Sequence, residues 1–514
     1  MTLIAPGVYI EELPRAVHSI AAVETSIAAF VGRTRCGPVN EPTAIGSFAD
    51  YQRAFGGLWN LSPLGFALRD FFANGGTRAV VVRLHHAASA AGQVQCTQLA
   101  VGGLNLEAAN PGSWGNELRV RIDHDAEDGA RSLFSLTVSD PLRGLTEVFR
   151  EVSVASQHSR NVTGVLRAAS QLIRSRGVLP RTRPAASPPH PEGEESGASG
   201  LTKPASDGLD LTPTDYLNAP EAKTGIYALE KTDLFNLLCL PPPAFDRDIS
   251  SEIWRDAARY CERRRAMLMV DPPLSWKSTA DALGSSATGV AASGTKSANA
   301  AVYFPRLLQP NPLDGNRLEA FVPCGAVAGV VARTDTRRGI WKAPAGKEAR
   351  LVDVVRPSLS LTDADNGDLN RSGINCLRAF PDVGPVVWGA RTLQGADELA
   401  SEWKYIPVRR MALFLEETLE RGTRWVVFEP NDEPLWAKVR LSVANFMRRL
   451  FRDGAFAGAT ERDAFFVKCD RETTTQNDLQ RGVVNIAVGF APLKPAEFII
   501  IKLQQPTAQN GGAP

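Results

Sequence analysis

Apolar runs alternate along much of the chain with segments whose apolar residues have helical spacing. The main runs occupy residues 27–31, 79–84, 234–240, 266–270 and 300–304. Three of them are followed by a proline within two residues, at Pro241, Pro272 or Pro305. Continuous apolar strands that alternate with helices are typical of a parallel sheet buried on both faces. We therefore predict a central α/β domain formed by two separate stretches, residues 26–85 and 226–394.

The pattern changes between these two stretches. Short runs in which apolar and polar residues alternate, bounded by turn residues, predict an inserted β domain over residues 86–179. Residues 180–225 are rich in Pro, Ser and Gly and hold few large apolar side chains before Leu209. Such a composition cannot bury a core, so we expect a mobile surface loop or linker there.

A further unit is predicted over residues 395–496. Apolar residues at helical spacing, including Met411 and Phe414, predict one helix that ends at Gly422. A second helix begins near Pro434 and ends at Gly454. Strand-like runs follow at 465–469 and 484–490, so we expect an α+β domain.

Both termini carry strand-like runs without an evident partner. We interpret residues 1–25 as an extended N-terminal arm and residues 497–514 as a C-terminal arm. Exposed strand edges recruit other chains, so each arm is predicted to add a strand to a neighbouring copy. The residues predicted to do so are Val8, Tyr9, Ile10, Glu11, Phe498, Ile499, Ile500, Ile501 and Leu503.

Charge and cysteine content narrow the class of protein. With 57 basic and 56 acidic side chains, the chain gives no reason to expect nucleic acid or an anionic membrane as a partner. The N-terminus lacks the features of a signal peptide. The uncharged run 324–332 is far shorter than the roughly 20 residues that a membrane-spanning helix needs. Seven dispersed cysteines without C-x-x-C spacing indicate reduced, buried thiols made in a cytoplasm.

The sequence offers little catalytic or metal-binding chemistry. All histidines lie at or before His190, which excludes Ser–His–Asp, Cys–His and histidine–metal schemes from the α/β region after residue 226. The pair His85–His86 could bind a metal, but a surface loop pair is the favoured interpretation. Residues 362–368 depart from a calcium loop and are interpreted as an acidic turn. The stretch 325–329 lacks the features of a phosphate or dinucleotide loop and favours close helix packing. We expect no catalytic residue, cofactor or metal.

One basic cluster remains on the second helix of the predicted C-terminal domain. Arg440, Arg448 and Arg452 are spaced eight and four residues apart, with Arg449 beside them, which predicts a basic ridge. It is either a solvated face or a contact surface for an acidic protein.

Several separated blocks together resemble a known family, the contractile tail sheath proteins of bacteriophages and related contractile injection systems. The resemblance covers about residues 1–120 and 226–505. Its blocks are residues 6–12, 25–32, 74–84, 110–116, 322–329 with 333–335, 339–345, 373–376, 387–393 and 428–432.

The resemblance implies a structural subunit, not an enzyme, that stacks in hexameric rings around an inner tube and contracts to drive the tube through a target envelope. It implies a subtilisin-like central domain without proteolytic residues, a β-sandwich insert that faces outward, and a C-terminal domain that faces the tube. Terminal strands from two neighbours would complete a sheet on each C-terminal domain. The arginines of the basic cluster would then be candidates for contact with the inner tube.

The implied partners are further copies of the chain, the inner tube protein, the baseplate and the tail terminator or cap proteins. Assembly in a bacterial cytoplasm is implied, into a phage tail, a tailocin or an injection particle. Whether a second sheath protein co-assembles stays open. Two alternatives remain: a tubular or surface-layer protein that does not contract, and an α/β hydrolase, which the lack of histidine after residue 190 disfavours.

Overall fold

The first described part of the chain forms one edge of a large sheet. The computed structural model describes residues 18–87, 94–124, 132–188, 200–284 and 289–497. Helix α1 begins where the Ser47 hydroxyl accepts a hydrogen bond from the amide of Asp50 and ends at Gly56, whose φ is 85°. The elements are β1 (Ala28–Arg33), β2 (Thr43–Ile45), α1 (Phe48–Phe55), α2 (Leu64–Ala73) and β3 (Ala79–Leu84).

The chain then leaves the large sheet and builds two small antiparallel sheets. One has the strand order β10-β4-β5-β9 and the other β6-β7-β8, and both pack on a common core that includes Trp114 and Phe134. The elements are β4 (Gln98–Val101), β5 (Leu104–Ala108), β6 (Arg119–Asp123), β7 (Leu133–Asp140), β8 (Leu145–Ser153), α3 (Val162–Ala169), β9 (Ile173–Ser175), β10 (Leu201–Lys203) and α4 (Pro213–Tyr216).

Residues 200–220 differ from the loop expected on composition. Strand β10 pairs with β4, and the Asp207 carboxylate accepts hydrogen bonds from the backbone N–H and the hydroxyl of Ser113 at 2.8 and 2.9 Å. Leu211 and Tyr216 are buried in the core of the large sheet. The expectation that this part buries no core was wrong, because a few well-placed apolar and polar groups attach it to both neighbouring units.

The chain returns to the large sheet at β11, beside β1. The eight strands are ordered β18-β17-β13-β12-β11-β1-β3-β2, and all neighbours are parallel except the two edge strands β2 and β18. The predicted α/β fold with several sheets is thereby confirmed. The elements are β11 (Leu237–Cys239), α5 (Ser251–Arg263), β12 (Met267–Val270), α6 (Thr279–Ala282), β13 (Ala300–Phe304), β14 (Leu307–Asn311), β15 (Arg317–Phe321), α7 (Cys324–Arg338), β16 (Arg356–Pro357), α8 (Asp363–Arg371), β17 (Ile374–Phe380) and β18 (Gly384–Val387).

Helices α2 and α7 pack against each other at glycine positions on the same face of the sheet. A Cβ atom at Gly325 would lie 1.9 Å from the backbone oxygen of Ala67, and one at Gly329 would lie 2.4 Å from that of Phe71. These glycines therefore let the two backbones approach more closely than any side chain would allow. The close helix packing predicted for residues 325–329 is confirmed.

The acidic segment 362–368 is the first part of α8, and its interpretation as a turn was wrong. The Thr362 hydroxyl accepts a hydrogen bond from the Asp365 amide at 3.2 Å, and the Asp365 carboxylate accepts one from the Thr362 amide at 2.9 Å. This reciprocal pair is a capping box, which satisfies two amide groups that the first turn of a helix leaves free. The acidic residues therefore start a helix.

The last part of the chain is a helix pair with a two-stranded sheet. Helix α10 begins where the Asp432 carboxylate accepts a hydrogen bond from the Leu435 amide at 3.0 Å. The two long helices expected here are confirmed. The elements are α9 (Ile406–Gly422), α10 (Glu433–Arg452), α11 (Glu461–Ala464), β19 (Phe465–Lys468), α12 (Gln476–Gln480) and β20 (Ala487–Phe490). No helix in the described part of the chain has the length and apolar character needed to cross a membrane.

Candidate assembly surfaces

The two-stranded sheet of β19 and β20, here called the terminal sheet, is partly exposed to solvent. Its strands pair with each other from Phe465↔Phe490 to Lys468↔Ala487. Within the described residues neither strand has a second neighbour. Every residue of β20 is only half-buried, and Phe466 is 53% exposed. Both edges can therefore accept a further strand.

The N-terminal segment reaches this part of the molecule before it joins the large sheet. Ile20 is buried in the same core as α9 and α10, and the ring of His18 stacks on Trp425 with centroids 4.0 Å apart. The Arg449 guanidinium donates a hydrogen bond to the backbone oxygen of Ile20 at 3.0 Å. Residues 18–20 of the predicted arm thus pack against their own C-terminal helices.

A buried ion pair fixes the next residues of that segment. Arg410 on α9 binds Asp335 on α7 with both terminal nitrogens, at 2.8 and 2.6 Å, and each side chain is less than 5% exposed. The same Arg410 donates to the Thr25 backbone oxygen at 2.8 Å, and the Thr25 hydroxyl donates to Asp335 at 2.7 Å. Sequence reasoning missed this cluster because its members lie between 75 and 385 positions apart.

The four arginines predicted to form a ridge lie on α10 but interact with different parts of the chain. Arg440 donates to Glu433 at 2.8 Å, and Arg448 donates to Glu461 at 3.0 Å. Arg449 binds the N-terminal segment and lies over the Phe446 ring. Arg452 is exposed in the last turn of the helix.

The residues predicted to exchange as strands lie outside the described residues. This applies to Val8, Tyr9, Ile10 and Glu11 and to Phe498, Ile499, Ile500, Ile501 and Leu503.

A cavity of about 440 Å³ opens at the carboxyl ends of β12 and β13, where α/β enzymes bind ligands. The fully buried Asp271 lines it, and burial raises the pKa of this carboxyl group to about 7. One of its oxygens accepts the Cys324 amide at 2.9 Å, which caps the N-terminus of α7. The described residues that line this cavity include no histidine, cysteine or lysine. The hydrogen bond to the Cys324 amide gives Asp271 a structural role at the start of α7.

The other candidate chemistry is also structural. His86 pairs with Asp215 at 2.8 Å, and burial with the nearby Arg83 and Arg33 lowers the pKa of His85 to about 4. No group of three or more potential metal ligands occurs among the described residues. All seven cysteines, which fall within the described ranges, are unpaired, and six of them are buried, as predicted.

Comparison with known proteins gives a consistent family assignment. Residues 212–393 match the model of the phage tail sheath protein central domain, and residues 398–505 match that of the phage tail sheath C-terminal domain. These two matched regions together make up more than half of the chain.

Curated relatives and solved structures agree. The tail sheath protein of Burkholderia phage BcepMu is 25% identical over 297 residues, or 55% of this chain and 59% of that protein. The one from Enterobacteria phage T4 is 24% identical over 188 residues, which span 36% of this chain and 27% of the T4 protein. The chain thus matches between about a quarter and three fifths of the length of these relatives.

The fold is that of the anti-feeding prophage helical sheath in its contracted state, with a TM-score of 0.57 at 24% identity over 98% of this chain and all of the other. The chain therefore belongs to the contractile tail sheath family, whose members are structural proteins and not enzymes.

Proposed function

We propose that this protein polymerises as stacked hexameric rings around an inner tube and contracts to drive the tube through a target envelope. The observation that carries the proposal is the half-covered terminal sheet, which lies in the part of the molecule on which residues 18–20 pack and from which the last described residues continue. In a helical assembly the contact between copies is heterologous, so an open acceptor edge on one copy needs a donor on the next.

The donors in this proposal are the two terminal runs, Val8–Glu11 and Phe498–Leu503. Each adds a strand to the terminal sheet of a neighbour, so neighbours stay tethered while the folded units repack during contraction. The central domain serves as a rigid spacer with a subtilisin-like fold that lacks proteolytic residues, and the β insert faces outward.

Truncation of either arm tests the exchange of strands. Removal of residues 1–12, or of residues 498–514, is expected to leave a folded monomer that no longer polymerises, because each truncation removes one donor and leaves the core intact. Negative-stain electron microscopy and sedimentation report polymerisation, and circular dichroism reports folding. Normal tubes from either truncated chain would refute strand exchange.

The proposed contact with the inner tube uses the exposed side of α10. Arg440 forms an ion pair with Glu433, and Arg448 forms one with Glu461. Arg452 is therefore the cation of the cluster that is most available to a partner. Reversal of Arg440, Arg448 and Arg452 to Glu should weaken co-sedimentation with the tube protein, since complementary charge guides and orients such contacts.

A control variant with the same change in net charge makes this test specific. Reversal of three exposed arginines on or beside the β insert, Arg150, Arg167 and Arg181, makes the same change in net charge away from the proposed tube contact. If both triple variants bind the tube as well as the parent protein does, the helix face is only solvated.

The remaining partners follow from the same proposal. The baseplate would start the sheath and trigger its contraction, and terminator or cap proteins would close its distal end. Assembly would take place in a bacterial cytoplasm, and the product would be part of a phage tail, a tailocin or an injection particle. A tube that forms but keeps a single diameter under all conditions would favour a passive tubular protein.

A further inference from the structure

The last described residues form a strap, residues 491–497, that leaves the terminal sheet and crosses to the central domain. The strap starts where the Ala491 amide donates to the Ala464 backbone oxygen at 2.8 Å. It ends at Glu497, whose carboxylate accepts two parallel hydrogen bonds from Arg391, at 2.8 Å from Nε and 2.6 Å from Nη2. The Tyr405 hydroxyl donates to the same carboxylate at 3.2 Å.

Contacts other than the one with Glu497 already hold Arg391 in one orientation. Its side chain is 1% exposed, and its Nη1 donates to the Asn370 backbone oxygen at 2.7 Å and to the Asp397 carboxylate at 2.9 Å. Its backbone amide donates to the Asn375 side chain at 2.7 Å. A planar guanidinium fixed in this way presents its remaining edge to a carboxylate at one place only.

The electrostatic balance also favours this pair. Burial lowers the pKa of Arg391, but the hydrogen bonds and charge of Glu497, together with Asp397, outweigh burial and raise the pKa above its usual value. The guanidinium is therefore a fixed positive charge that needs a carboxylate beside it.

The strap between its two ends lies over an open space. A cavity of about 710 Å³ is lined by Trp341, Trp388 and Gly389 on the body of the molecule and by Leu493 and Pro495 on the strap. The strap is thus incompletely packed along its length, and the ion pair at Glu497 is its firm attachment to the central domain.

We propose that Arg391 is a positioning residue that sets the register of the C-terminal exchange strand by holding Glu497. The proposal rests on the proposed strand exchange. Phe498, the first residue of the predicted strand, directly follows Glu497, so the anchor fixes where that strand starts. Side chains on a strand alternate between faces, and a slip of one residue moves every apolar side chain to the wrong face.

Loss of the anchor would leave the strand poorly placed. The bridge between Phe456 and Pro492 is the last backbone pairing of the described strap before Glu497, so residues 493–497 would become free slack that can span roughly 17 Å. Many registers would then be within reach, and correct pairing with the neighbour would compete with incorrect pairing. The anchor therefore supplies register to a strand whose own apolar sequence, Phe-Ile-Ile-Ile, specifies it weakly.

Insertions on the C-terminal side of Glu497 test the anchor. One alanine between residues 497 and 498 should reduce the polymerised fraction at least tenfold, because it exchanges the two faces of the strand. Two alanines restore the faces and should reduce that fraction by less than threefold. The polymerised fraction is measured by sedimentation, with electron microscopy of the pellets.

The decisive step repeats both insertions in the Glu497→Ala background. Glu497→Ala alone should lower the polymerised fraction several-fold, and the difference between one and two alanines should disappear because the strap can then slide. Glu348→Ala, which removes an exposed bidentate partner of Arg338 at 2.8 and 2.9 Å, is the control and should polymerise normally.

The outcomes are distinguishable. If the parent protein polymerises and the one- and two-residue insertions behave alike, the anchor is refuted and strand exchange stands. If the difference between insertions persists in the Glu497→Ala background, Glu497 does not set the register. If the parent protein never polymerises, the proposed function fails and the anchor with it.

Discussion

Several buried charged residues affect the stability of this molecule through the contacts they make, and Asp271 is the most informative of them. One of its carboxylate oxygens caps α7, whereas the other is buried without a hydrogen-bond partner among the described residues. Burial raises its pKa to about 7, compared with about 4 in an unfolded chain. Between these two pKa values the native state binds more protons than the unfolded state, so Asp271 lowers stability as the pH rises.

The Asp271→Asn variant should therefore become more stable relative to the parent protein as the pH increases. The free energy of unfolding of the variant minus that of the parent protein should rise by up to about 4 kcal/mol between about pH 4 and pH 8. The reason is that one unit of pKa corresponds to about 1.4 kcal/mol. Urea unfolding of both proteins at each pH measures this, and exposed Asp314→Asn serves as the control. A difference that is independent of pH would contradict the assignment.

Loss of the Arg410 side chain from its buried pair with Asp335 is expected to reduce the stability of the protein strongly. Arg410→Met would leave Asp335 buried without its cation and would remove the hydrogen bond to the Thr25 backbone oxygen, so we expect a loss of about 3–5 kcal/mol in the free energy of unfolding. Arg338→Met breaks an exposed pair with Glu348 and should cost less than about 1 kcal/mol. Chemical denaturation compares the two, and equal losses would show that burial is not the cause.

At the scale of elements, the contact between α2 and α7 depends on glycine. Gly325→Ala places a Cβ against the Ala67 backbone oxygen, so the helices must separate, at a cost of roughly 1–3 kcal/mol. Gly367→Ala, in α8, meets no atom within 4 Å and should be neutral or stabilising by up to about 1 kcal/mol. Thermal unfolding of both variants is the measurement, and an unchanged Gly325→Ala would contradict the packing argument.

The elements show which signals the sequence carries. Helices α9 and α10 were predictable because apolar periodicity, a proline in the first turn of each and a glycine at or just after the end agree. The start of α8 was missed because its acidic residues were interpreted as a turn, and the capping-box spacing of Thr362 and Asp365 is the signal that could have identified it. The Pro-rich composition around residues 200–220 also hid the few residues that attach it, including Leu211 and Tyr216.

Contacts between residues that are far apart in the sequence could not be predicted from it. Arg391 and Glu497 are 106 positions apart, and Arg410 and Asp335 are 75 apart. Neither pair has local spacing that would reveal it. The residues predicted for strand exchange remain a prediction, as does contact of the α10 arginines with a tube.

At the scale of the whole molecule, the first and last described segments both contact the C-terminal part of the chain, and the last one also reaches the central domain. The N-terminal segment packs on α9 and α10 before it enters the large sheet, and the strap returns from the terminal sheet to the central domain. Forces on either arm would therefore reach both the central and the C-terminal parts of the molecule. This arrangement suits a subunit that must move as a unit while its neighbours hold its ends.

The central claim is that copies of this chain assemble by strand exchange into a contractile sheath. Electron microscopy of the purified full-length protein, alone and with its inner tube protein, tests it most directly. We expect tubular polymers with six-fold end views, wider without the tube than around it. A monodisperse monomer under every condition would contradict it.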